Sequence, residues 1–422
     1  MPQNFSARCG IISAPETGGH GKREKDMKNE YKSTLTACFM GYIVQSIVNN
    51  FVPLLFVTFE SQYGIPLSKI TALITINFAL QLCVDFASAF FIDKIGYRAS
   101  AIIAHTFAAL GLVSLAFLPG MLANPYLGII ISVVFYAIGG GLLEVVVSPM
   151  VEACPNEHKA KTMSMLHSFY CWGTVGVIAV STLFFNIFGI NNWKILSVLW
   201  AILPIVNGIV FCKVPIATLT EDGEKGMPMS SLIKNGIFWI FVVLMCCAGA
   251  SEQAVSQWAS AFVEKALGIS KSVGDLAGPT LFSVLMGLSR VIYGKYGDKI
   301  DLDKMMIFSG VLCVAAYFIT ALTKSALGGL IGIAATGFAV GIMWPGTYSK
   351  AAKAINGGGT AMFALLALAG DVGCTVGPTF AGKIAGMAGD NLKIGILAAV
   401  VFHVVLTLLM CCMRKKKGIA AK

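Results

Sequence analysis

The chain has 422 residues, of which 56% are apolar and only 12% charged, and its mean hydropathy is +0.78. A membrane-spanning helix needs about 20 mostly apolar residues, so this apolar content is enough for about twelve spans joined by short loops. The composition therefore excludes a soluble enzyme, a nucleic-acid-binding domain and a disulfide scaffold.

The net charge of +10 does not point to a nucleic-acid partner. Membrane proteins gather Lys and Arg in their cytoplasmic loops, which gives a positive charge for topological reasons. The twelve cysteines lie mostly inside apolar runs, as in Cys246-Cys247 and Cys411-Cys412, and form no C-x-x-C pair. We expect them to be small buried apolar residues. No metal site and no cofactor is expected.

The N-terminal segment, residues 1–34, is polar and is expected to be a disordered cytoplasmic tail. No cleavable signal precedes the first apolar run, which starts at Leu35 and is long enough to cross the membrane. Two translation starts stay open at this point. One is Met1, and the other is Met27, which opens a short Lys-bearing lead into the first span.

Apolar runs between Gly, Pro and charge clusters predict twelve spans in two sets of six. The first bundle covers 35–212, with spans near 35–59, 69–92, 99–118, 126–151, 160–188 and 193–212. A polar, cytoplasmic central loop follows over 213–235. The second bundle covers 236–413, with spans near 236–262, 273–296, 305–323, 326–349, 359–387 and 393–413. Residues 414–422 form a basic cytoplasmic tail.

The distribution of Lys and Arg predicts the orientation of these spans. With the N-terminus in the cytoplasm, 23 of them fall on the cytoplasmic side, Arg290 lies within a span, and seven fall on the opposite side. Positive residues prefer cytoplasmic loops, so both termini are expected in the cytoplasm and the protein in the cell membrane.

Several features recur at a shift near half the chain length. Ala89-x-x-x-Asp93-Lys94 after span 2 returns as Gly294-x-x-x-Asp298-Lys299 after span 8, 205 residues later. A duplicated six-helix unit leaves such a pattern. The run Asp93-Lys94-x-Gly96-x-Arg98, together with the six-plus-six spans, resembles the major facilitator superfamily of secondary transporters.

This resemblance implies an all-α integral membrane fold, with twelve transmembrane helices in two pseudo-symmetric six-helix bundles. The charged residues of the two repeated loops are expected to act in gating, by stabilising the outward-facing state through charge and helix-end contacts: Asp93, Lys94, Arg98, Asp298 and Lys299. The first copy departs from the usual loop pattern at Ala89, where glycine is commoner. The second copy lacks the later glycine at Asp301.

A narrower resemblance lies in the first half. Asn49-Asn50 in span 1, Glu144 and Pro149 in span 4, and His167-Ser168-Phe169 in span 5 resemble the L-fucose/proton symporter group. In that group an asparagine pair, a span-4 glutamate and polar span-5 residues surround the sugar and the proton. Pro53 stands where that group has an acid, and His167 and Tyr170 stand where it has amides, so the identity of the sugar is not implied.

Ionisable residues inside the spans are the strongest functional signal, because each charge at the bilayer centre costs about 2.5–3.5 kcal/mol on insertion scales. We assign proton coupling to Glu144 in span 4, and after it to Asp371 in span 11 and Glu252 in span 7. The alternative for Glu144 is a carboxylate that only bonds a neighbouring helix. Glu152 and Arg290 lie near the cytoplasmic ends of their spans and are expected to act in gating.

Polar residues spaced three or four apart share helix faces and are expected to contact a solute. Amides both donate and accept hydrogen bonds, and an aromatic ring can stack on a sugar. The alternative for each is interhelical packing. The predicted solute contacts are Gln45, Asn49, Asn77, Gln81, Asp85, His167, Tyr170, Gln253, Gln257, Trp258 and Trp344.

No phosphate-binding loop, nucleophile elbow or H-E-x-x-H helix occurs, so the chain is not expected to be an enzyme or an ATP-driven pump. The sequence predicts a secondary active transporter that moves a small polar, sugar-like solute by alternating access and is coupled to protons, or to sodium. The partners are then the solute, the coupling ion and the lipid bilayer, with no nucleic acid, and the protein is a monomer. The alternatives are an exporter of amphipathic or drug-like compounds and a solute sensor that does not transport.

Overall fold

A computed structural model describes residues 31–65, 67–217, 219, 227–259, 262, 271–389 and 391–420. Within these ranges the chain is helical and contains no strand. The N-terminal tail through residue 30 lies outside the described residues, as does the acidic centre of the middle loop with Glu221, Asp222 and Glu224. The predicted tail and the choice between Met1 and Met27 therefore stay predictions.

Six spans form the first half of the fold. The first span, α1, comprises Lys32–Asn50, a 3-10 turn at Val52–Leu55 and a short helix at Phe56–Tyr63. It is followed by α2 (Leu67–Ile95), α3 (Tyr97–Met121), α4 (Pro125–Ala153), α5 (Lys159–Phe188) and α6 (Trp193–Phe211). The turn in α1 contains Pro53, which has no backbone N–H and so cannot continue the α-helical hydrogen-bond pattern.

The second half repeats this order after a central loop with a short helix at Met229–Lys234. Its spans are α7 (Gly236–Ser256), α8 (Lys271–Tyr296), α9 (Leu302–Leu322), α10 (Ala326–Val340 and Met343–Ala354), α11 (Gly359–Met387) and α12 (Leu392–Ala398 and Val400–Ala420). The last helix thus continues beyond the predicted end at residue 413. The other helix ends agree with the predicted spans to within a few residues.

The predicted twelve-helix architecture in two bundles is confirmed. By length and composition, eleven described stretches are able to cross a membrane. The helix absent from those eleven is α8, which packs along α5 and α10 and completes the second bundle. Because the number of spans is even, α1 begins and α12 ends at the same membrane face, here named the termini side.

Glycines bring helices together within each half. In the second half, α7 and α11 approach so closely that a Cβ on Gly373 would lie 2.0 Å from the backbone oxygen of Cys246, and one on Gly377 would lie 2.5 Å from that of Ala250. In the first half a Cβ on Gly139 of α4 would lie 2.6 Å from the backbone nitrogen of Ala108 on α3. Small residues at such contacts drive helix association in a bilayer through close packing.

The two halves meet through a small number of helices. The main contacts are made by α5 with α8 and α10, and by α2 and α4 with α11. These helices carry most of the ionisable residues singled out in the sequence. The functional residues therefore lie at the boundary between the halves.

The close α7–α11 contact predicts a stability difference between two glycine variants. Gly373→Ala should lower the free energy of unfolding by about 1–3 kcal/mol, because its methyl group has no room beside a backbone oxygen. The control is Gly176→Ala on α5, where nothing lies within 4 Å of the added carbon. Thermal unfolding of the purified protein measures both, and equal melting temperatures would contradict the packing described here.

Candidate functional site

A cavity of about 950 Å³ lies between the two halves at the middle of the helices. Its lining reaches the ends of the helices away from the termini side, at Phe56 of α1, Thr75 of α2, and Trp258 and Thr379 in the second half. This volume is within the usual range for small-molecule sites. The cavity is thus reached from the side opposite the termini.

On the termini side, contacts between the halves close the cavity. Ser164 Oγ on α5 donates to the backbone oxygen of Arg290 on α8 at 2.8 Å, and the hydroxyls of Tyr97 and Thr360 lie 2.5 Å apart. The central loop lies on the same side, where the backbone N–H of Met227 donates to the carbonyl oxygen of Gly357 in the second half at 2.7 Å. The structure therefore represents a state open away from the termini.

Thirteen of the fourteen residues predicted for proton coupling or solute contact line this cavity. They are the carboxyl groups of Glu144, Glu252 and Asp371, and the side chains of Gln45, Asn49, Asn77, Gln81, His167, Tyr170, Gln253, Gln257, Trp258 and Trp344. Asn50, which adjoins Asn49, also lines it. The remaining residue, Asp85, is fully buried and does not reach the cavity wall.

An amide cluster forms the first-half wall. Gln45 Nε2 donates to Glu144 Oε2 at 2.6 Å, and Gln81 Nε2 and Asn77 Nδ2 both donate to Asn49 Oδ1, at 2.8 and 3.2 Å. The helical repeat explains this arrangement, since residues four apart on α1 and on α2 face the same way. Two buried acceptors, Gln45 Oε1 and Asn77 Oδ1, have no protein donor among the described residues.

Next to this cluster lies a hydroxyl and imidazole network. Tyr42 Oη is 3.0 Å from Ser148 Oγ and 3.4 Å from His167 Nε2, and Asn49 Nδ2 donates to Tyr170 Oη at 3.5 Å. The sequence reasoning missed Tyr42. Its position is one turn before Gln45 on the same face of α1, so extending that polar stripe would have found it.

The second-half wall carries amides and indoles. Gln257 Nε2 donates to Gln253 Oε1 at 3.0 Å, as their spacing of four predicts. Trp258 Nε1 donates to the carbonyl oxygen of Pro378 on α11 at 3.0 Å, which fixes the plane of the indole. Trp344 packs against Gly370, where a Cβ would lie 2.2 Å from the indole.

Arg290, predicted to act in gating near the cytoplasmic end of its span, lies buried between the two halves. Its side chain is 3% exposed, and its Nη2 lies 3.3 Å from Glu252 Oε2. Arg290 Nη1 donates to the backbone oxygen of His167 at 3.0 Å and to Cys171 Sγ at 2.9 Å, and Nε donates to the carbonyl oxygen of Gly341 at 2.8 Å. A buried guanidinium needs such partners, and here they come from both halves.

The acceptor on α10 follows from the sequence around Trp344-Pro345. In a regular helix the carbonyl of Gly341 would accept from the N–H of residue 345, but Pro345 has none. The helix is interrupted at this point, between Val340 and Met343. Pro345 therefore leaves free the oxygen that Arg290 binds.

The predicted gating residues occupy the termini side. Asp298 bonds Lys161 of the other half, and its Oδ1 lies 2.7 Å from His158 Nδ1. The hydrogen bond from Lys161 lowers the pKa of Asp298, and the charge of His158 acts in the same direction. Asp298 is thus ionised near neutral pH when it makes this contact.

The other gating candidates differ in their contacts. Arg98 Nη1 and Nη2 donate to the backbone oxygens of Phe211 and Val214 at 2.7 and 2.8 Å, which satisfies carbonyls at the end of α6. Glu152 lies at the end of α4, where its backbone oxygen accepts from Lys159. Asp93, Lys94 and Lys299 lie exposed at the ends of α2 and α8.

Comparison with known proteins identifies the family. The family model described as Major Facilitator Superfamily matches residues 34–378. The chain belongs to the major facilitator superfamily. It is therefore a transporter and not an enzyme, as the sequence predicted. A search of curated proteins finds no match.

Solved structures share this fold at low sequence identity. The fucose:proton symporter FucP of Escherichia coli, as a variant, has a TM-score of 0.77 at 14% identity, over 90% of this chain and 98% of that one. The proton:xylose symporter XylE with bound 6-bromo-6-deoxy-D-glucose has a TM-score of 0.75 at 13% identity, over 90% and 95%. The human organic anion transporter MFSD10 has a TM-score of 0.67 at 14% identity, over 90% and 99%.

The buried ion pair predicts a large effect when one partner is removed. Arg290→Met should lower the free energy of unfolding by about 3–5 kcal/mol, because Glu252 then lacks its cation and the backbone oxygens of His167 and Gly341 lose their buried donor. Adding Glu252→Gln should recover part of this loss. Denaturant unfolding of the purified chain measures both, with Lys295→Met, an exposed position on the same helix, as the control. A loss no larger than that of the control would contradict the pairing.

Proposed function

We propose that this transporter moves a small polar, sugar-like solute by alternating access and is coupled to protons. The observation that carries the proposal is the hydrogen bond of Glu144, a carboxyl within a membrane span, with an amide and not with a cation. Glu144 lies in the wall of a cavity whose other polar residues are mostly hydrogen-bonding side chains.

The solute part rests on the chemistry of the cavity wall. Amides from α1, α2 and α7 supply donors and acceptors, and the free acceptors of Gln45 and Asn77 are suited to hydroxyl groups of a solute. Trp258 supplies an aromatic face of fixed orientation. A polyhydroxylated ring satisfies both kinds of group at once.

The proton part rests on the contrast between the two cavity glutamates. Glu252 has the permanent cation of Arg290 beside it, so its charge is balanced in the bilayer. Glu144 bonds Gln45, and the described residues include no salt bridge to it. An acid inside a membrane span that has no cation beside it gains more from binding a proton, which removes the cost of its charge.

Known transporters of similar fold support this reading, since FucP and XylE are described as proton symporters of fucose and xylose. The excess of Lys and Arg on the termini side supports cytoplasmic termini in a cell membrane. The cavity then opens to the outside, which suits uptake. One chain encloses the whole cavity, so a monomer is sufficient.

A ligand screen tests the solute class. Thermal unfolding of the detergent-purified protein is followed with sugars, polyols, amino acids and hydrophobic ions, each with protons alone and with added sodium. A ligand that binds only the folded state stabilises it by about 2.7 kcal/mol at a hundred times its Kd. Stabilisation by sugars supports the proposal, whereas stabilisation by hydrophobic ions alone favours an exporter.

Glu144→Gln tests the coupling in reconstituted vesicles, with a sugar found in the screen. The amide has nearly the size of the carboxyl and also forms hydrogen bonds, but it cannot bind the coupling proton. We expect proton-driven accumulation to be lost, while exchange of labelled for unlabelled sugar, which needs no net proton movement, is kept. Glu60→Gln, an exposed acid on α1, is the control and should accumulate sugar like the wild type. If the pH dependence of sugar accumulation in Glu144→Gln were the same as in the wild type, the proposal would be contradicted.

A further inference from the structure

A second acidic contact lies beside the cavity, where α2 of the first half meets α11 of the second. Asp85 on α2 is 0% exposed, and neither of its carboxylate oxygens has a hydrogen-bond donor among the described residues. A carboxylate in this position would carry the full cost of a buried, unpaired charge. The contact must therefore contain something that lowers this cost.

The group that faces Asp85 is another acid. The carboxyl of Asp371 on α11 lies within hydrogen-bonding reach of the carboxyl of Asp85. Two ionised carboxylates repel each other and have no hydrogen to share, so this contact can form only when one of them carries a proton. One O–H then donates to the other carboxylate, and the pair holds a single negative charge.

The surroundings of the pair add no cation. Among the described residues, the ionisable groups that act on it are Glu144 from α4, Glu252 from α7, Tyr348 from α10 and Cys374 from α11. The guanidinium of Arg290 is already engaged by Glu252 and by the backbone of both halves. More negative charge nearby makes a second ionised carboxylate still less favourable, so the local field favours the shared proton.

We propose that Asp85 and Asp371 form a second proton-binding site, separate from Glu144, in which one proton joins the two halves while the cavity is open away from the termini. Asp371 lines the cavity and Asp85 does not, so Asp371 is the member that takes the proton from the cavity.

The proton balance of the cycle follows from this geometry. When the halves separate on the termini side, the O–H to carboxylate contact breaks, the proton passes to water there, and both acids are left hydrated as carboxylates. The contact takes up one new proton only after that side has closed and the cavity is again open away from the termini. The claim that this proton is carried across the membrane rests on the proposed coupling, whereas the shared proton itself does not.

Infrared spectroscopy of the lipid-reconstituted full chain tests the site without a transported solute. A protonated carboxyl gives a C=O stretching band above the amide band. We record it near neutral pH in a Glu144→Gln background, which removes any band from Glu144. The band should be present there, and should be lost when either Asp85→Asn or Asp371→Asn is added, because an amide N–H then donates to the remaining carboxylate and no proton is needed.

The outcomes separate this proposal from simple burial of one acid. If only one of the two substitutions removes the band, the proton belongs to that residue alone and sharing is wrong. A band whose intensity neither substitution lowers also overturns the proposal, whereas a remainder common to both variants comes from another acid such as Glu152, whose Oε2 is also buried without a donor among the described residues. Glu60→Gln, an exposed acid, should leave the band unchanged. Because every protein in this experiment carries Glu144→Gln, a negative result would not affect the proposed role of Glu144. Likewise, failure of the transport test of Glu144 would not affect the proposal for Asp85 and Asp371.

A second measurement tests whether the proton holds the halves together. Hydrogen–deuterium exchange, corrected for its intrinsic pH dependence, is followed at residues 94–100 and 356–362, which meet on the termini side. From mildly acidic to alkaline pH, protection in the wild type should fall by roughly tenfold, the factor expected for losing one charge-assisted hydrogen bond. Asp85→Asn keeps its hydrogen bond at every pH and should show a smaller fall.

Asp298 also contacts Lys161 and His158 across the termini side, so the comparison is between the two proteins and not between two pH values alone. An equal fall in wild type and Asp85→Asn would overturn the joining role. Size-exclusion profiles and melting temperatures show whether each variant is folded. The double variant Asp85→Asn with Asp371→Asn, in which two amides can bond each other, gives a second pair without a proton, and it should likewise show a smaller fall than the wild type.

Discussion

A charged side chain in the hydrocarbon layer must find an opposite charge, water or a proton, since leaving it alone costs about 2.5–3.5 kcal/mol even on insertion scales. The fold satisfies this requirement differently for each ionisable group. Glu252 has the guanidinium of Arg290, Glu144 has an amide and the water-accessible cavity, and Asp298 lies beyond the end of α8 with two basic partners. These polar contacts lie at the boundary between the two halves.

The contacts within each half differ in kind from those between the halves. Within the halves, glycines allow backbones to touch, as at Gly373 against Cys246, and such dry contacts lose their packing if they open. Between the halves, many contacts are polar, for example Ser164 with Arg290 and Tyr97 with Thr360. Polar groups can exchange their partners for water at modest net cost. Each bundle is therefore expected to move as a rigid unit, while the two bundles can separate from each other.

Much of the site could be predicted from the sequence because helical spacing and hydropathy are local properties. Gln45 with Asn49, and Gln253 with Gln257, lie four apart in otherwise apolar runs, which is enough to assign them to one face. Glu144 stands out because an acid inside an apolar span is costly. The order of the spans and the duplicated loops likewise give the two-bundle fold.

What escaped prediction depends on which helices meet and at what depth. The place of Arg290 is set by Glu252 on α7 and by a carbonyl on α10, and nothing near Arg290 in the sequence indicates either. Asp85 continues the stripe of Asn77 and Gln81, yet the contact with α11 covers it. Tyr42 was overlooked because a tyrosine in an apolar span is commonly a core residue.

The interruption of α10 and the buried charge of Arg290 depend on each other. Pro345 leaves the carbonyl of Gly341 without its helical donor, and Arg290 Nε supplies the missing hydrogen at 2.8 Å. The same guanidinium holds the backbone of His167 in the opposite half. A single guanidinium thus links the interrupted part of α10 to the first bundle. A change in the distance between the bundles would therefore also change the backbone hydrogen bonding of α10.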